Sequence, residues 1–558
     1  MARKILLAHP RFPENTFWSF DRALGMAGRS ATMPPLGLLT LAGLFPEDSF
    51  DLKLADENIR EISDESLREA DMVLASAMIV QQESLARLVD RCRRLGTPVM
   101  VGGPLVSSCF EILRGQGLAP DVWFLGEAER LFPDVLRDLD QGHLRHVYAH
   151  VATEERAQQV RQVFGEEAHV LVEALPQLDL VPLPRFDLLE LEAYHSMAIQ
   201  ASRGCPIGCE FCDIWVQYGR KARTAPAQHL LQQLDSLKSL EWRGRVFVVD
   251  DNFIGNVAAA KSLATQLCKW QEENGRPFSF STEADVRLGS AKKDMTELRV
   301  TLATAGFGGV FLGLESPSRE ALAETGKRVN IDTDGDVAQG LLERVHRLQA
   351  AGLEVKAGFI LGFDQDPSDI DQAMIDFVSR SAIPLAMVGT LGVLPGTALQ
   401  TRLKREGRYR GRLVGTQTHG FSLNYRPKGR SEHAVLEQYA RVLDALYGNR
   451  MQSYYARCED LMQRLPGPPR TGDRAGLRSC LALLRSFWTI RPRVSYLLFL
   501  GRTLLRRPRS LPYAVVLATQ GEHLHRLTRE AIAEYRARRP GRCEHDPDTA
   551  TRAMATER

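Results

Sequence analysis

Residues 201–212 read Ala201-Ser202-Arg203-Gly204-Cys205-Pro206-Ile207-Gly208-Cys209-Glu210-Phe211-Cys212. Three of the nine cysteines fall within eight residues, spaced C-x3-C-x2-C. On a helix that spacing would put all three sulfurs on one face. Gly204, Gly208 and Pro206 argue against a helix, so the stretch is a loop. A loop that converges three thiols and supplies no fourth can hold a metal cluster with one coordination position open. Iron–sulfur clusters are commonly held by four cysteine thiolates; a cube held by three leaves one iron for a substrate or cofactor. Zinc would need a fourth Cys or His at short spacing, and the next histidine, His229, is well downstream. The plainer alternative is three unrelated buried cysteines.

With 558 residues the chain is too long for one core, and roughly two to four domains are expected. A composition of 44% hydrophobic and 25% charged residues is that of a globular protein, so most of it should fold. Nine cysteines and no signal peptide suggest a reducing compartment, the cytoplasm, rather than a disulfide framework. No apolar run approaches the roughly 18–20 residues that span a bilayer. The net charge of +2 hides an asymmetry. Residues 401–558 carry 31 basic and 14 acidic side chains, a balance of +17, which leaves the rest at −15. Such a split points to something anionic meeting the C-terminal part.

Residues 1–145 alternate short apolar runs with helical patterns. Residues 5–8 form an apolar run, and Pro34-Pro35-Leu36-Gly37-Leu38 opens a helix with prolines where a first turn tolerates them. Residues 50–56 alternate as a strand, 72–76 form a buried strand, and 84–95 have helical periodicity. The stretches 98–104 and 121–129 are strands ending in glycine turns. This grammar predicts an α/β domain, a doubly wound Rossmann-like parallel sheet. Its ligands belong at the carboxyl ends of the strands, where Ser76, Gly102-Gly103 and Gly126-Glu127 lie. Residues 146–190 read as a proline-broken connector with a hairpin or short strand at 169–172.

From 191 to 415 the βα repetition returns. Strands are expected before the cysteines and at 245–249, 278–284, 309–316, 355–363, 385–389 and 391–397, a partial (β/α)6 barrel. Polar residues or glycines sit at the strands' carboxyl ends, the functional face of such barrels.

The order of these segments carries a resemblance to a known family. A C-x3-C-x2-C loop, then Gly313-Leu314-Glu315-Ser316, then Gly358-Phe359-Ile360-Leu361-Gly362 resembles the radical S-adenosylmethionine superfamily. The resemblance implies that Cys205, Cys209 and Cys212 hold a 4Fe–4S cluster whose open iron chelates S-adenosylmethionine. It further implies contacts to that cofactor from Phe211, Glu315, Ser316, Gly358, Ile360 and Gly362, although glycines in these places also serve plain strand turns. Asp250, Asp251 and Glu283 are strand-end acids fit for hydrogen-bonding ribose or substrate; Asp251 or Asn252 serves equally as a helix cap. Arg220, Lys221 and Arg223 can pair with a carboxylate or form a solvated basic loop. The PPLGL, VGGP and GEAE segments of residues 1–145 resemble the cobalamin-binding domain that precedes many such cores. That implies cobalamin contacts at Pro35, Gly37, Ser76, Gly102, Gly103, Gly126 and Glu127. Cobalamin domains that ligate cobalt with imidazole use Asp-x-His-x-x-Gly, whereas Asp56-Glu57-Asn58-Ile59-Arg60 has no histidine. The lower cobalt face is then not held by a protein histidine, and the other face is free to carry a methyl group.

More narrowly, Cys212-Asp213-Ile214, Tyr218-Gly219-Arg220-Lys221, the segment 249–256 and Thr282-Glu283-Ala284 resemble the subgroup that includes hopanoid C-2 methylases. The resemblance implies a methylcobalamin-dependent methyltransferase acting on an unactivated carbon of a hydrophobic lipid or natural-product scaffold. It also implies an electron donor such as flavodoxin or ferredoxin. Three rivals are a rearranging or ring-closing radical enzyme, a tRNA methylthiotransferase-like enzyme and a non-enzymatic cobalamin sensor. The second of these needs another three-cysteine set, and residues 1–145 offer only Cys92 and Cys109.

Residues 416–537 read as a helical, basic C-terminal domain, and 538–558 as a disordered tail. Between Arg464 and Arg509 stand eleven arginines and one acid, Asp473, interleaved with aliphatic and aromatic residues. The region reads as a helical cap on the barrel, as a peripheral contact at the inner face of a membrane, or, least in keeping with the rest, as a nucleic-acid patch.

Overall fold

The structure, a computed structural model, describes residues 2–14, 16–17, 19–46, 48–331, 335–411, 413, 420–468, 486 and 490–537. The first sheet has seven parallel strands: β1 (Arg3–His9), β2 (Phe50–Asp56), β3 (Met72–Ser76), β4 (Val99–Gly102), β5 (Val122–Leu125), β6 (Val147–Val151) and β7 (His169–Val172). Their order is β2-β1-β3-β4-β5-β6-β7, so the winding reverses between β1 and β3. Both faces are covered, as an all-parallel sheet requires. Leu6, Ala8, Val73, Val101 and Trp123 pack on one side, and Ile5, Leu7, Leu74, Met100 and Phe124 on the other. This period-two division makes the strands read as unbroken apolar runs.

The sheet does not end near residue 145. β6 and β7 extend it, joined by helix Glu154–Phe164, whose N-cap Thr153 accepts from Arg156 N–H. The segment 169–172 is therefore a parallel edge strand rather than a hairpin, and the connector begins after Val172.

The second sheet comprises β8 (Ser196–Ile199), β11 (Gly244–Val248), β12 (Phe278–Ala284), β13 (Phe307–Glu315), β14 (Glu354–Leu361) and β15 (Ala386–Thr390), all parallel. The order β15-β14-β13-β12-β11-β8 leaves β8 and β15 unpaired with each other, so the barrel is partial. Residues 391–397 form no strand; Asn424 bonds both the N–H and the carbonyl of Val393 instead. Between β8 and β11, β9 (Ser202–Arg203) and β10 (Arg223–Thr224) form a short antiparallel ladder that brackets the cysteine loop. Val246, Phe280, Leu312, Ala357 and Val388 point outward into the helix-covered core. The alternate residues Phe247, Glu283, Phe311, Ile360 and Met387 are half-buried and line the lumen.

Helices Glu432–Tyr447, Gln452–Arg464, Arg493–Arg506 and Leu511–Ala537 pack together on the β15 side. The Tyr447 hydroxyl accepts from Ala386 N–H at 2.8 Å, Arg457 donates to Ile383 O at 2.9 Å, and the Tyr454 hydroxyl donates to Leu517 O at 2.6 Å. The last helix also reaches the first domain, where His523 stacks on Phe20 at 4.8 Å. These contacts make the region a cap on the barrel. Residues 469–485 and 487–489 of the basic region, and the tail from 538, lie outside the described residues.

Candidate active site

The cysteine loop leaves β9 and is fastened from below by the residues that follow β11. Asp250 spends its carboxylate on the chain itself: Ala201 N–H at 2.8 Å, Ser202 N–H at 2.9 Å and the Ser202 hydroxyl at 2.7 Å. Burial, opposed by those donors, pushes its carboxyl up to about 6. Asp251 accepts from Gly204 N–H at 2.7 Å. Gly204 must be glycine, because its φ is +91° and a Cβ would lie 2.7 Å from the Lys221 carbonyl. Asn252 donates to Asp285 at 2.9 Å and lies 3.8 Å from the Cys205 sulfur. The helix that follows is capped by Asn256, not by Asp251 or Asn252. Thus Asp250 orients the loop, Asp251 pins its entry, and Asn252 reaches the first sulfur.

The other side of the loop rests on the turn at 325–327. Glu210 N–H donates to Thr325 O at 3.0 Å, and Glu210 meets Arg402 at 2.6 Å. Arg402 also binds Glu324 and Asp364, so one guanidinium ties the loop to the ends of two barrel units. Phe211 packs on Phe363, ring centroids 6.0 Å apart.

None of the three thiols is in a disulfide. Burial pushes Cys209 up to about 11 and Cys205 and Cys212 also upward. Lys327 is the cation that faces all three. Among the described residues no three His, Cys, Asp or Glu side chains converge tightly enough for a single metal ion. As free thiols this buried set is neutral; as ligands of a cationic iron cluster it ionises.

Around the mouth, Glu315 ends β13 with φ +64°, a strained conformation for a residue with a side chain. Lys327 holds its carboxylate at 2.9 Å, and Asn330 donates to Gly313 O and Leu314 O just before it. Burial alone would lower the Lys327 ammonium, but Glu315 and then the Cys209 thiol carry it above its ordinary range. Ser316 is buried and accepts from Ser318 N–H, a turn role. Gly358 and Ile360 line the lumen. Gly362, φ +110°, donates to Asp366 and accepts from the Tyr425 hydroxyl at 2.6 Å.

Glu283 lies in the lumen between Asp251 and Lys327. Burial pushes its carboxyl from 4.5 up to about 7, with Asp251 adding and Lys327 opposing. A carboxyl raised in this way holds its proton more tightly folded than unfolded. Folding stability therefore falls as pH rises from the unfolded value through about 7. Glu283→Gln is expected to flatten that fall and to be more stable than wild type by on the order of 2 kcal/mol above about pH 8. Denaturant unfolding of the two apo-chains at acid and alkaline pH measures it; parallel stability profiles would refute it.

The first domain lies across this mouth. Glu127 and Glu129, after β5, both reach Arg203, at 2.7 Å and 2.8 Å, and Glu127 also meets Arg223 at 2.5 Å. All four side chains are nearly excluded from solvent, and Arg203 is two residues from Cys205. Glu127, expected among the cobalamin contacts, therefore works as an interdomain ion-pair partner. Arg223 is likewise committed, Arg220 stacks on Trp215 at 4.6 Å, and Lys221 is exposed.

At the strand ends of the first sheet, Gly103 (φ +87°) and Gly126 (φ +88°) could not carry a Cβ without meeting Ser76 Oγ at 2.3 Å and His150 O at 2.1 Å. Ser76, Gly102, Gly103 and Gly126 are half-buried, leaving backbone rather than side chains at the sheet edge. Pro35 precedes helix Leu36–Ala42, and Gly37 is exposed on it. In the turn after β2, Asn58 bonds Phe12 N–H and Asp56. The bare strand ends fit a flat macrocycle whose lower face takes no imidazole from this turn. A separate cleft of about 420 Å³, lined by Lys53, Arg60, Glu61 and Tyr194 among others, contains no residue of the cysteine loop.

Sequence reasoning missed Lys327, Arg203, Glu129 and Arg402. Only Arg203 and Glu129 stood inside motifs already singled out; Lys327 and Arg402 carry no local signal.

Comparisons with known proteins agree with this geometry. The chain matches the B12 binding domain over residues 24–136, the Radical SAM superfamily over 199–377, and a domain of unknown function, DUF4070, over 397–537. It is 37% identical over 444 residues to "Uncharacterized methyltransferase sll1242" of Synechocystis sp., covering 80% of this chain and 76% of that protein. It is 29% identical to the hopanoid C-2 methylase of Rhodopseudomonas palustris, covering 91% and 89%. Among solved structures, the cobalamin-dependent S-adenosylmethionine radical enzyme OxsB with aqua-cobalamin bound aligns with a TM-score of 0.58 at 15% identity, over 96% of this chain and 81% of that one. Three thiols on one loop, a strained glutamate and buried lysine beside them, and a B12-binding sheet latched across the mouth thus belong to one design: the chain is a member of the cobalamin-dependent radical S-adenosylmethionine methyltransferases.

Proposed function

We propose that the enzyme methylates an unactivated carbon of a hydrophobic acceptor, a polycyclic lipid or a similarly apolar natural product. The observation that carries this reading is the lumen lining: Phe247, Phe311, Ile360 and Met387 give it apolar surface, with Glu283 and Lys356, the strand neighbours of Phe311, standing among them. Apolar walls favour an apolar substrate by area burial. The likeness to a hopanoid methylase over most of both chains supports the same choice.

The cofactors supply the hard chemistry: reductive cleavage of S-adenosylmethionine, hydrogen abstraction and a methyl group held on cobalt. The chain's part is placement. Cys205, Cys209 and Cys212 would hold the cluster; Glu315, Ser316, Gly358, Ile360, Gly362 and Phe211 would contact S-adenosylmethionine; Ser76, Gly102, Gly103 and Gly126 would contact cobalamin. Asp250, Asp251 and the Glu127–Arg203 pair fix the loops between them. A low-potential donor of the flavodoxin or ferredoxin kind completes the reading. So does a peripheral membrane contact through the 464–509 region, because a hydrophobic acceptor resides in lipid.

Anaerobic reconstitution followed by a labelled-methyl assay against lipid extract tests it. One labelled methyl on an apolar product, with 5′-deoxyadenosine formed alongside, is the expected result. 5′-Deoxyadenosine with no mass gain would favour rearrangement or ring closure, and label in water-soluble products only would refute the hydrophobic acceptor.

A further inference from the structure

Helix Arg493–Arg506 is apolar on two opposite faces. Tyr496, Phe499, Leu500 and Thr503 are buried against the cap. Val494, Leu497, Leu498, Leu504 and Leu505 form the other face and are open to solvent, Val494 at 70% and Leu505 at 86% exposure. Their spacing of i, i+3, i+4, i+10 and i+11 makes one continuous stripe. They account for five of the eleven large exposed apolar side chains among the described residues, on a single 14-residue helix. A helix that is apolar all round is normally buried all round, so this stripe calls for a cover.

The charges identify the cover. From Arg491 to Arg509 there are six arginines and no acid. On the helical wheel Arg493 borders one edge of the stripe, and Arg502 and Arg506 border the other. Arg502 is paired with Glu459, whereas Arg493, Arg506 and Arg509 are exposed and carry no ion pair among the described residues. A second copy of the helix would set like charges against like. An anionic lipid surface satisfies both features: leucines enter the acyl boundary while arginines at the stripe's edges reach phosphate. The helix is about 21 Å long, enough to lie in the interface and too short to cross it, and no described helix is long and apolar enough to span.

We propose that helix Arg493–Arg506 docks the enzyme on an anionic bilayer surface through the Val494–Leu505 stripe. This gives the membrane contact of the proposed function a definite face, but vesicle binding is read without turnover. Its failure is therefore distinguishable from failure of methyl transfer. The full-length protein is co-sedimented with phosphatidylcholine vesicles with and without phosphatidylglycerol. Binding is expected only with the anionic lipid and should weaken with salt. Leu498→Glu/Leu505→Glu is expected to abolish it, and Arg493→Gln/Arg506→Gln to weaken it by about fivefold per arginine removed. All four positions are exposed, so unchanged thermal unfolding should accompany the loss. Wild type that ignores anionic vesicles, variants that bind as wild type does, or a solution dimer that the leucine variant dissolves would each overturn the proposal.

Discussion

Cys209→Ala is expected to bring 5′-deoxyadenosine formation to background while leaving the apo-chain folded. Cys209 is the most buried of the three loop thiols and makes no disulfide. It stands between the other two in the field of Lys327, and its own thiol is pushed up by burial to about 11. Replacing a small buried thiol by a methyl group changes packing by little, since such a cysteine behaves as a small hydrophobe. Removing one of three ligands is a different matter, because a loop with two thiols cannot retain the cofactor that carries the chemistry. Anaerobic reconstitution, iron and sulfide content and chromatographic detection of 5′-deoxyadenosine check it. Cys268→Ala, outside the loop, should keep full activity. A Cys209→Ala enzyme that still forms 5′-deoxyadenosine would remove the cluster assignment altogether.

The loop was legible because its ligands are close in sequence and their chemistry is fixed by residue type. The acids around it were legible as acids but not in their roles. Asp250 and Asp251 follow β11 where a cofactor contact is expected, yet their partners include backbone N–H groups at Ala201, Ser202 and Gly204, 47 to 49 residues earlier. No periodicity reports a pairing over that distance. Glu127 is the same case: it stands at a strand end like a ligand contact, and its partners are 76 and 96 residues on. Lys327 sits 12 residues past Glu315 on a turn with no distinguishing pattern; only its placement against the thiols marks it.

The fold divided similarly. Strands β1 to β5 announced themselves as short apolar or alternating runs, β4 and β5 with glycine turns behind them. β6 did not, because His150 interrupts the run, although the strand is buried throughout. The C-terminal region was read three ways, and helix Arg493–Arg506 shows why one pattern fits two of them. One apolar face belongs to a cap, and the other stays open with arginines at its edges.

Arg203→Met is expected to lower stability by about 3 kcal/mol, because it removes one partner of a buried ion pair and leaves a carboxylate uncompensated. Arg223 still meets Glu127, so the stranded group is Glu129, whose one ion-pair partner among the described residues is Arg203 and whose Oε2 lacks a hydrogen-bond donor among them. The effect should not stay within one domain. Glu127 and Glu129 belong to the B12-binding sheet, while Arg203 belongs to the ladder that launches the cysteine loop. Losing the guanidinium should therefore loosen the first domain over the mouth, with faster proteolysis in the connector at 173–195 as the second readout. Buried ion pairs are often replaceable as a set by neutral groups. The triple variant Arg203→Met/Glu127→Gln/Glu129→Gln should then recover more than half of the lost stability in denaturant unfolding. A single variant as stable and as protease-resistant as wild type would mean that the domains are held together by apolar contacts alone, and that the GEAE segment needs another explanation.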